Sequence, residues 1–351
     1  MGQRLVYIDV LRGICIFIVL YTHVVQFSLP YSDYSTVHRF LTLWFLHMFF
    51  FISGYVGYRE RNDWNLFFVS SFLKKKIKTI LIPTISAISL YILCVNAKVD
   101  DMLFSSSKGG GYWFTFVLFE MQVIYTCVMY VISRIHNTRH KSIAVLSIAL
   151  LSYMMTKILN MNSIVMDIFC LKGLFTYFPF FLLGVLCKMN NNMYVMCLSN
   201  KRVQFALLAI LIIGFKTNYI PSVVLSSVSC FVVIFSIRKM EENMTYETCL
   251  AIVKKMTKSF FSLFSCIGQY SIEIYFLHFL LLFKLPQSVS DYLYSGYIEN
   301  SYGHTYSSII ELIVVGSVSL FLALLCIMIS LFLKQLPFMD RLLFGKIKTN
   351  K

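Results

Sequence analysis

Charge is what this chain has least of. Charged residues make up 13% of its 351 positions, where an ordinary soluble domain carries about 25%. Hydrophobic residues reach 58% and the mean hydropathy is +0.73, which excludes a soluble globular protein and leaves a multi-span membrane protein. Acid is the scarcer sign, with 16 Asp and Glu against 31 Lys and Arg and a net charge of +15. In a membrane protein such an excess collects in cytoplasmic loops, so it reads as orientation and no nucleic-acid partner is expected. Paired cysteines are missing too. The ten cysteines are scattered with no C-x-x-C, most of them inside apolar runs, as at Cys15, Cys94, Cys127, Cys187, Cys230 and Cys326. That spacing signals neither a zinc site nor a disulfide framework. No small-residue cleavage site follows the first apolar run, so the run stays as a helix. Val6 stands where a myristoylation signal needs Ser or Thr. Gly109-Gly110-Gly111 lacks a following Lys-Ser or Lys-Thr and is no P-loop. Neither G-x-S-x-G nor H-E-x-x-H occurs, which removes the common serine-hydrolase and zinc-peptidase signatures.

What the chain does have is apolar length. Breaking it at Pro, Gly and charge clusters predicts ten segments of a size to cross about 30 Å of hydrocarbon: 5–27, 38–58, 77–97, 112–133, 142–159, 168–187, 203–217, 219–237, 260–285 and 309–333. With the N-terminus in the cytoplasm, 23 of the 31 basic residues fall in inner segments and seven in outer ones, Arg12 being intramembrane. This asymmetry predicts an even number of spans with both termini cytoplasmic. The expected fold is an all-α polytopic membrane helix bundle of about ten helices. It is expected to form one integral-membrane domain over 1–351, with no appended soluble domain, because the longest polar stretches, 238–259 and 286–308, are too short to bury a core.

Ionisable residues inside apolar helices are costly and usually face a bundle interior or a wet cavity. Arg12 and His23 are separated by eleven helical steps, which return to within about 20° at a spacing of about 16 Å, and Asp9 falls on the same stripe. Either the stripe lines a functional path, or Asp9 and Arg12 pair at the helix end and snorkel to water. Glu273 and His278 share the ninth segment, and Glu120 adds another helix to the set. His47 lies mid-depth in the second segment, placed for a cross-bundle hydrogen bond or a proton path. Ser53-Gly54 supplies small residues for a close helix approach or a slot for a thin ligand. Lys74, Lys75, Lys76 and Lys78 open the third segment, as an anchor on anionic lipid or as a phosphate site for a cytosolic donor. His23 is the strongest acid–base candidate, because it alone shares a stripe with an arginine.

These residues resemble the acyltransferase family 3 membrane proteins, bacterial O-acyltransferases of surface carbohydrates. The likeness rests on Arg12 and His23 with ten residues between them, preceded by Tyr7-Ile8-Asp9-Val10-Leu11. It is joined by Phe51-Ile52-Ser53-Gly54-Tyr55, Trp113-Phe114, Tyr177-Phe178-Pro179-Phe180-Phe181-Leu182-Leu183-Gly184 and the Tyr275 to His278 stretch. The resemblance implies transfer of an acyl group, most often acetyl from acetyl-CoA as a donor substrate rather than a resident cofactor. The acceptor would be a hydroxyl of a cell-envelope polysaccharide or lipid-linked glycan, at the bacterial cytoplasmic membrane. His23 would be the general base on the acceptor hydroxyl or help relay the acyl group, and Arg12 would steady donor phosphate or the oxyanion. Asp9, Ser53, Gly54, Lys75, Lys78, Trp113, Glu120, Glu273, His278 and His47 would bind donor or line the cavity. The chain departs from the family at Lys75 and Lys78, which stand where an Arg-x-x-Arg is common, and Lys lacks the bidentate fork. His47 lies two positions from where a histidine often precedes the aromatic run. Some relatives carry a C-terminal hydrolase-like domain that is not expected here.

The competing reading is a transporter or flippase of a lipid-linked sugar, with the buried charges along a translocation path. A glycan polymerase is a third, but it usually needs a large outer loop that the sequence does not show. Acceptor choice would fall to outer loops 98–111 and 286–308, where Tyr292, Tyr294, Tyr297, Tyr302 and Tyr306 either stack on sugar rings or anchor the membrane boundary.

Overall fold

The computed structural model describes residues 5–29, 35–60, 64–95, 112–158, 170–217, 219–244, 251–299 and 304–345. Loop 98–111 with its glycine run, Tyr302, and the side chains of Tyr294, Tyr297 and Tyr306 lie outside the described residues. Every regular element described is helical. In chain order these are α1 (Val6–His23), α2 (Thr36–Thr42), α3 (Phe45–Gly57), α4 (Leu66–Lys76), α5 (Ile82–Val95), α6 (Trp113–Ile132), α7 (Thr138–Ile158) and α8 (Leu171–Met189). They continue with α9 (Asn191–Ser199), α10 (Lys201–Thr217), α11 (Ser222–Asn243), α12 (Ala251–Gln269), α13 (Ser271–Leu281), α14 (Gln287–Glu299), α15 (His304–Leu333) and α16 (Pro337–Phe344). π-helical turns follow α1 at Val24–Ser28 and α4 at Ile77–Leu81.

Seven of the described helices are long and apolar enough to cross a membrane, or nine if two bent pairs each count as one. The segment expected at 142–159 is helical as α7 through Ile158, 21 residues long, but stands outside that set. One expectation is corrected. The segment at 260–285 is not straight: Ile252–Gln269 and Ser271–Leu281 meet at 77° across Tyr270. The physical reason lies on both sides of the bend. Gly268 is pressed onto the α1 backbone just before it, and α13 has only 11 residues, about 16 Å of helix. The helix that carries the lysine cluster starts ahead of it: Asn65 accepts from the Phe68 amide at 2.8 Å, so it begins at Leu66, two turns before Lys74, and the lysines stand at the head of its apolar stretch, which runs on to Val95.

The chain forms two compact units, Met1–Phe49 with Met196–Ser330, and Phe50–Val195 with Leu331–Lys351. In the first, α1 is buried over most of its surface, with Val10, Leu11, Cys15, Ile16, Leu20 and Tyr21 all hidden and only the stripe of Asp9, Arg12 and His23 carrying acidic or basic side chains. It meets α12 backbone to backbone: a Cβ on Gly13 would overlap the Phe264 carbonyl, and one on Gly268 would overlap the Asp9 carbonyl. Small residues permit that approach, and dispersion along the seam holds it. The break between α2 and α3 releases carbonyls that α11 collects. Ser226 Oγ donates to the Leu43 oxygen at 2.7 Å and Cys230 Sγ to the Trp44 oxygen at 3.7 Å, as backbone freed inside a membrane requires.

The second unit repeats the glycine device. Gly54 of α3 lies against the Phe181 carbonyl of α8, and Gly184 of α8 against the Phe51 carbonyl of α3. Thr84 Oγ1 donates to Thr115 Oγ1 at 2.8 Å, tying α5 to α6. The terminal helix α16 packs on α5. Its C-cap Gly345, at φ 62°, sits so close to Thr79 and Lys78 that a side chain would collide.

Candidate active site

The α1 helix runs unbroken from Val6 to His23, so Arg12 and His23 do share one face about 16 Å apart. At the near end, the Arg12 guanidinium lies 4.0 Å from Asp9 Oδ1, with the Arg12 side chain one-third exposed and that of Asp9 buried. At the far end, His23 is the last residue before the π turn, a distortion that recurs at functional sites.

The structure brings His23 and His278 together. Their rings stack with centroids 5.2 Å apart and planes 20° off parallel. Phe279 and Phe27 close around His23 at 4.9 and 5.5 Å. His278 is completely buried. Its Nδ1 faces two backbone oxygens, Tyr275 at 2.7 Å and Ile274 at 3.2 Å. Carbonyls only accept, so Nδ1 carries the proton and Nε2 of the neutral ring is a lone-pair acceptor. That Nε2, and Nδ1 of His23, are buried with no hydrogen-bond partner among the described residues. Each of the stacked rings thus has a nitrogen without a partner, and a lone-pair acceptor such as Nε2 of His278 is what a bound hydroxyl would satisfy.

Other expected residues are placed as follows. Glu273 is buried in the first turn of α13, where the helix dipole favours an acid. His47 is half-buried in α3, within the first unit. Ser53, Gly54, Lys75, Lys78, Trp113 and Glu120 belong to the second unit. There Tyr177 is stacked between Phe50, at 5.0 Å, and Trp113, at 5.9 Å. The Oε2 atom of half-buried Glu120 has no partner among the described residues. Lys75 and Lys78 are exposed, with Lys78 inside the second π turn.

Sequence reasoning missed Glu311. It is fully buried on α15, and its Oε1 accepts from Tyr21 Oη at 2.7 Å and Ser35 Oγ at 2.6 Å. The rule that picked out Glu120 and Glu273 applies to it equally, but at the third position of the expected segment 309–333 it reads as interfacial. The two π turns carry no sequence signature.

Among the described residues no group of His, Cys, Asp and Glu could hold a metal ion. Seven to nine candidate membrane-spanning helices among the described residues define an integral membrane protein. The acyltransferase domain model matches residues 5–331, nearly the whole chain. The chain therefore belongs to the acyltransferase 3 family and is a membrane acyltransferase. No curated protein and no solved structure matches it significantly.

Proposed function

We propose that this protein moves an acetyl group from acetyl-CoA onto a hydroxyl of a cell-envelope polysaccharide or lipid-linked glycan, in the bacterial cytoplasmic membrane. The observation that carries the reading is the stacked His23–His278 pair with its two unpartnered ring nitrogens. His23 takes the proton of the acceptor hydroxyl as its oxygen attacks the thioester carbonyl. The C–S bond then breaks, the ester stays on the acceptor, and the departing thiolate recovers the proton from the His23 imidazolium. His278 presents a second lone pair to the reacting groups and keeps its own proton on the Tyr275 carbonyl. Arg12, about 16 Å from His23 along α1 and turned toward Asp9, holds donor phosphate rather than the oxyanion. Lys75 and Lys78 are exposed point charges suited to phosphate. No resident cofactor is needed.

The test is His23→Ala in the expressing cell with mass spectrometry of the surface glycan, paired with acetyl-CoA consumption by purified protein. Loss of an acetyl-sized mass at normal glycan abundance, with turnover down by about 10²- to 10⁴-fold, is expected. Loss of the glycan itself with acetylation of the remainder intact would overturn the reading in favour of a lipid-linked sugar transporter.

A further inference from the structure

Within the first unit, the start of α2, the end of α10 and the start of α11 enclose a cavity of about 410 Å³, the size of a small-molecule site. Arg39 and Leu43 line it from one side, Phe215 of α10 from another, and Ile220, Ser222 and Leu225 from the head of α11. Two candidate spans, Thr36–Gly57 and Ser222–Asn243, begin here, so the mouth lies at the level of the lipid headgroups. From that level the lining changes with depth. Leu43 is four residues past Arg39 and Leu225 three past Ser222, about 6 and 4.5 Å further along their helices, and the polar mouth gives way to an apolar floor. Among the described lining residues Arg39 alone is charged. Its guanidinium lies over the Phe215 ring at 5.4 Å, a stacking that steadies the fork and keeps its N–H edge for another partner. No carboxylate pairs with it among the described residues. Ser222 opens α11, and the first amides of a helix are not used inside it.

We propose that this cavity seats a membrane phospholipid with an anionic headgroup, its phosphate on Arg39 and the first part of its chains on the apolar floor. A guanidinium fork matches two phosphate oxygens. A free phosphate leaves the floor unfilled, and an uncharged lipid leaves the cation unanswered. At headgroup level the surroundings are themselves phospholipid, so the occupant is always at hand. Ser226, one residue past Leu225, donates its hydroxyl to the Leu43 carbonyl, so a seated lipid braces the joint between α2 and α11. The assignment is independent of the acyl-transfer reading.

The experiment uses the purified full-length protein in detergent with phosphatidylglycerol bearing a diazirine on one acyl chain, and maps the label by peptide mass spectrometry. Label on the peptides carrying Leu43 or Leu225 is expected, displaced by unlabelled phosphatidylglycerol but not by equal amounts of diacylglycerol or glycerol 3-phosphate. Arg39→Gln should reduce that label by about tenfold, for loss of a charge-assisted contact. Ser222→Trp, which fills the mouth and keeps the charge, should reduce it as far. Lys254→Gln, which removes an exposed lysine of α12 outside the lining, should leave it unchanged. Added phosphatidylglycerol should also raise the melting temperature of the wild-type protein and not that of Arg39→Gln, a readout that needs no label. Equal labelling of all four proteins, or equal displacement by diacylglycerol, would show ordinary lipid at the protein surface and overturns the proposal. Displacement by glycerol 3-phosphate would make it a free-phosphate site, and stronger displacement by a polyprenyl phosphate a glycan-carrier site; either overturns the assignment to bilayer phospholipid.

Discussion

Replacing Gly13 by Ala tests the seam on which the site is hung. A Cβ at Gly13 would fall on the Phe264 carbonyl and crowd the Gly268 amide, and neither is the far end of a flexible side chain. To restore van der Waals contact at about 3.5 Å, α1 and α12 must part by about 1.5 Å. Overpacking of this kind costs about 1–3 kcal/mol. The functional loss is larger, because α1 carries His23 while α12 leads across Tyr270 into the helix of His278. A misplacement of about 1 Å between reacting groups costs about 10²-fold in rate. Gly316→Ala is the matched control: its Cβ would meet nothing nearer than Phe17 Cζ at 4.0 Å, so stability should change by less than about 0.5 kcal/mol. Thermal unfolding in detergent and acetyl-CoA consumption read both quantities. Equal melting temperatures and rates for the two variants would refute the backbone contact and the dependence of catalysis on it.

Other substitutions probe separate links. His278→Asn keeps a donor for the Tyr275 carbonyl and removes the Nε2 lone pair, so turnover should fall by about 10²-fold with the melting temperature held; an unaltered rate would show the stacked ring to be packing alone. Ser226→Ala leaves the Leu43 carbonyl without its side-chain donor and should cost about 1 kcal/mol without changing kcat. Gly345→Ala imposes a left-handed backbone on a residue with a Cβ, about 1–2 kcal/mol, and drives that Cβ into Thr79; the C-terminal helix should then be cut faster by limited proteolysis.

Composition and apolar segment length made the class of fold legible, because the bilayer permits few alternatives to helices. Periodicity placed Arg12 and His23 on one face, and α1 keeps them there, since no Pro or polar run interrupts it before His23. Ser53-Gly54 read as a close-approach element, and Gly54 is one half of such a contact. What could not be read is tertiary. His23 and His278 are 255 positions apart and nothing local announces that their rings stack. The bend at Tyr270 comes from Gly268 docking on α1, a constraint imposed by another helix. Glu311 was hidden for a different reason: near the start of its segment a carboxylate looks wet, and only Tyr21 and Ser35 reveal that it is dry.

The seam between α1 and α12 works like a keyed joint, each backbone seated where the other has no side chain. Sliding by one helical turn, about 5.4 Å, would push Phe17 or Asp9 into the notch that only Gly13 fits. The two helices therefore travel as a single carriage. Whatever opens to admit a donor or release a product must swing at the Tyr270 corner or at the π turn after His23, and a crosslink welding α1 to α12 should leave the catalytic cycle running.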